Sequence, residues 1–173
     1  MMATLSRRKL GETRYFWGLM ELERQKALQA NWDHFAYLLS AFLSAGRSVT
    51  FAVQNEDPDR YAALWTPWLA AQSAEDQALF KFMNRQRREE VHVAGAAFSR
   101  ETGTIPVADV FIAGATASGA ARPPFGYVDD YPVTIEIGTI KPQFEIAGRT
   151  VDAVPACRRY VDLLAEFLDR FER

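Results

Sequence analysis

The sequence predicts a mainly α protein: an up-and-down bundle of four to five helices with a small β-hairpin or strand insertion before the C-terminal helix. Three observations carry that prediction. Apolar residues recur at three- and four-residue spacing through the first half of the chain and again at its end. Two helix-start signals, Asp57-Pro58 and Ser73-Ala74-Glu75-Asp76, punctuate the pattern. Residues 97–151 hold six of the ten glycines and five of the eight prolines, a composition that argues against long helices there.

The elements follow in order. Arg7-Arg8-Lys9 reads as a disordered basic tail, and Phe16, Leu19, Met20 and Leu22 begin a helix running to about Leu28. Trp32, Phe35, Leu39, Phe42 and Leu43 mark one face of a second helix, with Ala36, Ser40, Ala41, Ser44 and Ala45 small enough for close packing. Past Gly46, the alternation of Val49, Phe51 and Val53 predicts a short extended segment that stops near Gln54-Asn55. Asp57 as N-cap and Pro58 at the first helical position open the next helix. In it Tyr61, Leu64, Trp65, Trp68 and Leu69 fall at i, i+3, i+4, i+7 and i+8. Pro67 either kinks this helix or starts a second short one with Thr66. Ser73 caps a further helix through Leu79, Phe80, Phe82 and Met83, with Gly95 as its terminator.

Ile105 to Ile112 and Val133 to Ile137 read as strands. Phe144 to Ala147, Gly148-Arg149 and Thr150-Val151 read as a hairpin with its turn at Gly148-Arg149. A closing amphipathic helix starts near Pro155 and carries Tyr160, Leu164, Phe167 and Phe171. Its strong apolar face must pack back on the bundle. The organisation is therefore a single domain over 1–173, with bundle helices over 12–96, a β-rich insertion over 97–151 and the closing helix over 153–172.

Composition narrows the function. With 173 residues, 49% hydrophobic and 24% charged, the chain is long enough to bury a proper core and ordinary for a globular protein. A net charge of −2 excludes a basic protein built to coat nucleic acid, so any RNA contact uses a local patch. No run of about 18 apolar residues stands out, which predicts no membrane span. The N-terminal residues to Arg14 lack the apolar block of a secretory signal. The single cysteine, Cys157, permits no internal disulfide and fits a reducing cytoplasm.

The segment Asn84-Arg85-Gln86-Arg87-Arg88-Glu89-Glu90-Val91-His92 is the richest in chemistry. One of the two histidines stands beside three arginines at a helix end. A guanidinium binds anionic oxygens and an imidazole moves a proton near neutral pH, the minimal equipment for chemistry on a phosphate. On a helix, Arg85, Arg88 and His92 share one face at i, i+3 and i+7. Arg87 lies instead with Phe80, Met83 and Val91 on an apolar face. An arginine there needs a carboxylate, a bound anion or a partner subunit's polar groups. The competing structural reading, a dimeric helical scaffold whose β insertion meets a protein partner, pairs Arg87 with a carboxylate of a neighbouring helix and Arg85 with Glu89 at i+4.

A helical bundle whose late helix ends in Arg-x(4–6)-His resembles the HEPN superfamily (higher eukaryotes and prokaryotes nucleotide-binding domains). Arg87-Arg88-Glu89-Glu90-Val91-His92 matches the four-residue spacing, and Arg85 to His92 the six-residue spacing. Phe42-Leu43-Ser44-Ala45-Gly46-Arg47-Ser48-Val49-Thr50-Phe51 looks like uncharacterised bacterial members of that group. The resemblance covers roughly 12–96 and 153–172. It implies a homodimer with two motifs facing one cleft, and a metal-independent ribonuclease of the toxin–antitoxin kind that needs no cofactor. It further implies His92 as general base or acid, Arg87 as the charge-stabilising group, and Arg85, Arg88 and Asn84 as substrate contacts. RNA or a nucleotide would be the ligand, and a cognate antitoxin or nucleotidyltransferase the protein partner. One departure stands out: the family often has Asn, Asp or His directly after the motif arginine, where this chain has the donor-only Arg88.

Other candidates are weaker. Asp33-His34 lacks the three or four converging ligands of a metal site. Ser48, Ser73 and Ser99 have no nucleophile-elbow context. Asp129-Asp130 with Glu136 reads as a solvated acidic loop. Trp65 and Trp68 read as core residues rather than base-stacking platforms.

Overall fold

A computed structural model describes residues 4–26, 31–89, 103–106, 134–137 and 142–173. They form five helices: α1 Leu5–Gln25, α2 Trp32–Glu56, α3 Pro58–Ala70, α4 Ala74–Glu89 and α5 Ala153–Phe171. Between α4 and α5 lie four short strands, β1 Gly103–Pro106, β2 Thr134–Ile137, β3 Gln143–Ile146 and β4 Arg149–Asp152. These strands pair antiparallel as β1 with β2 and β3 with β4. Mainly helical architecture with a small antiparallel insertion before the last helix is thus as the sequence predicts.

α1 starts much earlier than predicted, and it absorbs the basic triplet read as a tail. Cations this close to a helix N-terminus oppose the helix dipole. Contacts from elsewhere offset this. Thr4 caps the turn by accepting from the Arg7 backbone N–H. Glu56, at the end of α2, accepts from the Ser6 N–H and hydroxyl at 2.9 Å each. Arg7 reaches Asp169 and Glu172 at the end of α5, both at 2.6 Å. Its guanidinium hydrogen bonds hold both carboxyls below their usual range. α1 therefore runs antiparallel to α2 and to α5, and Arg24 meets Asp152 at 3.0 Å at the other end.

The predicted extended segment at 49–53 is helix. Val49 and Val53 are fully buried and Ala52 nearly so, whereas Phe51 is half exposed. Helical spacing puts Gly46, Val49 and Val53 on one inward face, and burying two valines at about 1.5–3 kcal/mol each overrides the weak helix penalty of β-branched residues. Gly46 sits against the Tyr160 ring of α5, where a Cβ would lie 2.7 Å from Cε1. α2 holds no unbroken run of 18 apolar residues, yet by length and mean hydropathy it is apolar enough to cross a bilayer. Its best 18-residue stretch has mean hydropathy 1.3, and 56% of that stretch is buried inside the protein as the bundle's central helix.

Asp57 caps α3 by accepting from the Arg60 N–H at 3.0 Å. The helix passes through Pro67 to Ala70 as one element, so no second short helix starts at Thr66-Pro67. Trp65 and Trp68 pack against Phe80 and Phe167, with ring centroids 4.9–5.6 Å apart; Trp68 is buried in the core as predicted, and Trp65 lies half-buried against it. Ser73 caps α4, its hydroxyl accepting from the Asp76 N–H at 3.1 Å.

In the β3–β4 hairpin the turn is Ala147-Gly148, one residue earlier than predicted. Both residues have positive φ, 50° and 75°. Two successive left-handed residues match the right-handed strand twist, and the register Ile146↔Arg149 follows from that two-residue loop. Phe144, 2% exposed, packs its ring 4.8 Å from that of Phe82 and docks the hairpin on α4. β1 pairs with β2 from Gly103↔Ile137 to Pro106↔Thr134. The predicted strand residues 107–112 and 133, the loop 114–126 and Gly95 lie outside the described residues.

Candidate arginine site at the end of α4

Leu79, Phe80, Phe82, Met83 and Gln86 are the buried residues of α4, at the spacing of one inward face. That face fixes where every neighbouring side chain goes. Arg85 and Arg88, i and i+3, are exposed together on the outer side, as the helical spacing predicts. Asn84 and Arg87, also i and i+3, are half-buried along the flank next to Phe80 and Met83. The structure thus brings Asn84, Arg85, Arg87 and Arg88 onto adjoining sides of two helical turns. His92 and Val91 lie outside the described residues, as do Asp129 and Asp130.

Two local interactions give the cluster a structural reason to exist. Cations in a last helical turn are favoured by the negative end of the dipole, and Arg87 and Arg88 occupy that turn. The Arg85 guanidinium lies 5.6 Å from the Phe82 ring centroid, within cation–π range. Among the described residues, Arg87 meets no carboxylate, so the neighbouring-helix ion pair of the structural reading is not found there. What the arrangement offers chemically is three guanidiniums within two turns, each able to donate to phosphate oxygens.

The remaining candidates resolve differently. His34 is half exposed, and its Nδ1 lies 2.8 Å from Oε2 of Glu23. Glu23 is a buried carboxylate the sequence reading missed, although it continues the buried stripe of Thr13 and Met20. It accepts from Lys26 Nζ at 2.6 Å and from the Asn31 backbone N–H at 2.9 Å. Burial pushes its pKa up, but the bonds from Lys26, Asn31 and His34 prevail and bring it down to about 2. Among the described residues, no three His, Cys, Asp or Glu side chains converge as metal ligands. Cys157 is fully buried in α5, and burial pushes its thiol well above the ordinary range, which makes it inert as a nucleophile.

Comparison with protein-family models, with curated proteins and with solved structures gives no match to this chain.

Proposed function

We propose that this chain is a HEPN-like, metal-independent endoribonuclease that works as a homodimer, with Arg87 and His92 of each copy at one cleft. The observation that carries the reading is the half-buried Arg87 beside the exposed pair Arg85 and Arg88 on the last turns of a helix anchored in the core. In this reading His92 takes the proton of a ribose 2′-hydroxyl, whose oxygen attacks the adjacent phosphorus. The 5′-oxygen of the next nucleotide leaves with a proton, giving a 2′,3′-cyclic phosphate and a 5′-hydroxyl. Arg87 stabilises the charge that builds on the phosphoryl oxygens. Arg85, Arg88 and Asn84 hold the flanking backbone. The proposed setting is a reducing cytoplasm, with an antitoxin or nucleotidyltransferase as regulatory partner.

Cleavage rates of single arginine variants test this. Arg87→Ala should lower kcat by about 10²–10³-fold, the size of a lost oxyanion-stabilising donor. Arg85→Ala and Arg88→Ala should act mainly on KM and soften its salt dependence. Equal losses in kcat from all three variants would contradict the assignment of Arg87.

The exposed cation at position 88 favours a second reading, a catalytically silent relative that grips RNA or nucleotide phosphate. It lacks the acceptor that would organise the site. In that case RNA binds without cleavage, and each arginine removed lowers the magnitude of the log-affinity against log-salt slope by about 0.7.

A further inference from the structure

We propose that a groove at the opposite end of α4 binds one uncharged, largely apolar small molecule. The groove encloses about 640 Å³ and is walled by the first turns of α4, the β3–β4 hairpin and the first turns of α5. That volume lies in the range of about 300–1,000 Å³ that holds small-molecule ligands. Its floor is apolar: Ala78 and Leu79 from α4, Ile146 and Val151 from the hairpin, Ala156 from α5. Ile146, Val151 and Ala156 are only partly covered by the core they rest on.

The charges of the rim decide the chemistry of the occupant. Five charged residues line the groove, and each is already matched within the protein. Glu75 meets Arg149 at 3.1 Å, Asp76 holds Arg159 through two bonds of 2.9 and 3.0 Å, and Asp152 pairs with Arg24 at 3.0 Å. A charged ligand entering here would lose water without gaining an unmatched partner, whereas an uncharged apolar one loses nothing. The Asp76–Arg159 pair ties α4 to α5, and Phe144 packed on Phe82 ties the hairpin to α4, so the walls are joined without a ligand. A pre-formed wall lowers the ordering cost of binding.

Phenylnaphthylamine, which is uncharged, and anilinonaphthalene sulfonate, the same ring system with a fixed negative charge, make a matched pair of fluorescent probes. The intact protein should bind phenylnaphthylamine saturably at one site, and the sulfonate about tenfold more weakly or less, because its charge finds no partner. Ala156→Trp, and separately Ala78→Trp, should fill the groove and abolish the binding, with folding of each confirmed by circular dichroism and thermal melting. Neither variant touches the arginine site, so RNA cleavage or binding should be unchanged. Absence of saturable phenylnaphthylamine binding would overturn the proposal. So would binding that survives in both folded tryptophan variants, or sulfonate binding as tight as that of the uncharged probe.

Discussion

Ala147, at φ 50°, occupies a left-handed position that costs an L-residue with a Cβ roughly 1–2 kcal/mol, and only its neighbour Gly148 escapes that cost. Asparagine tolerates such a position, and Asn-Gly is the preferred pair for this turn. Ala147→Asn should therefore stabilise the protein by about 0.5–1 kcal/mol, read as a higher midpoint in urea without a change in slope. Glu23 is the opposite case, a buried residue already well satisfied. Its depressed pKa means that its contribution to stability is present above its ordinary 4.5 and is lost as pH falls through the interval down to about 2. Glu23→Gln should cost about 1–3 kcal/mol at neutral pH, since charge-assisted hydrogen bonds are lost. It should also flatten the acid limb of the stability curve in melts taken across that interval. Neither residue was legible in the sequence. Ala147 carries no turn signal of its own, and the Glu23 carboxylate is explained only by partners across the junction of α1 and α2. Arg87 was legible, because helical spacing alone places it beside Phe80 and Met83.

Elements whose signals were local were read correctly. Asp57-Pro58 and Ser73 start α3 and α4 by side-chain capping, and the apolar stripe of α5 is strong enough to read directly. Elements whose causes are distant were misread. The first turn of α1 looks unfavourable until Glu56, Asp169 and Glu172 are brought to it. The end of α2 imitates a strand because Val49, Phe51 and Val53 alternate, and only packing shows that the valines share an inward face. Gly46 is where that packing is tightest. Gly46→Ala would improve helix propensity by about 0.8–1 kcal/mol, yet its new methyl would press on the Tyr160 ring. A buried ring between Phe42 and Phe80 has little room to give. The net effect should be destabilisation by about 1–3 kcal/mol, seen as a lower Tm, and a stabilised variant would contradict this account of the α2–α5 contact.

At the scale of the whole molecule, aromatic rings of α3, α4 and α5 meet in one cluster, and α1 closes the other side of α2 through its ends. This frame holds α4 so that its inward face is fixed by Phe80, Met83 and Gln86, and the arginines take up the sides that remain. The two proposed sites share one helix: guanidiniums stand at its C-terminal end and a charge-balanced apolar groove lies at its N-terminal end. The sequence alone pointed to the first, because Arg and His carry their chemistry in their names. It did not point to the second, because a groove is made by three elements far apart in the chain. The central claim is that the arginine end, with His92, cleaves RNA without a metal. Its most direct test is incubation of mixed cellular RNA in EDTA with the wild-type protein and, in parallel, with His92→Ala. Cleavage by the wild type alone, leaving 2′,3′-cyclic phosphate ends, is the predicted result; an intact RNA pool with a folded dimer, or equal cleavage by both proteins, would contradict it.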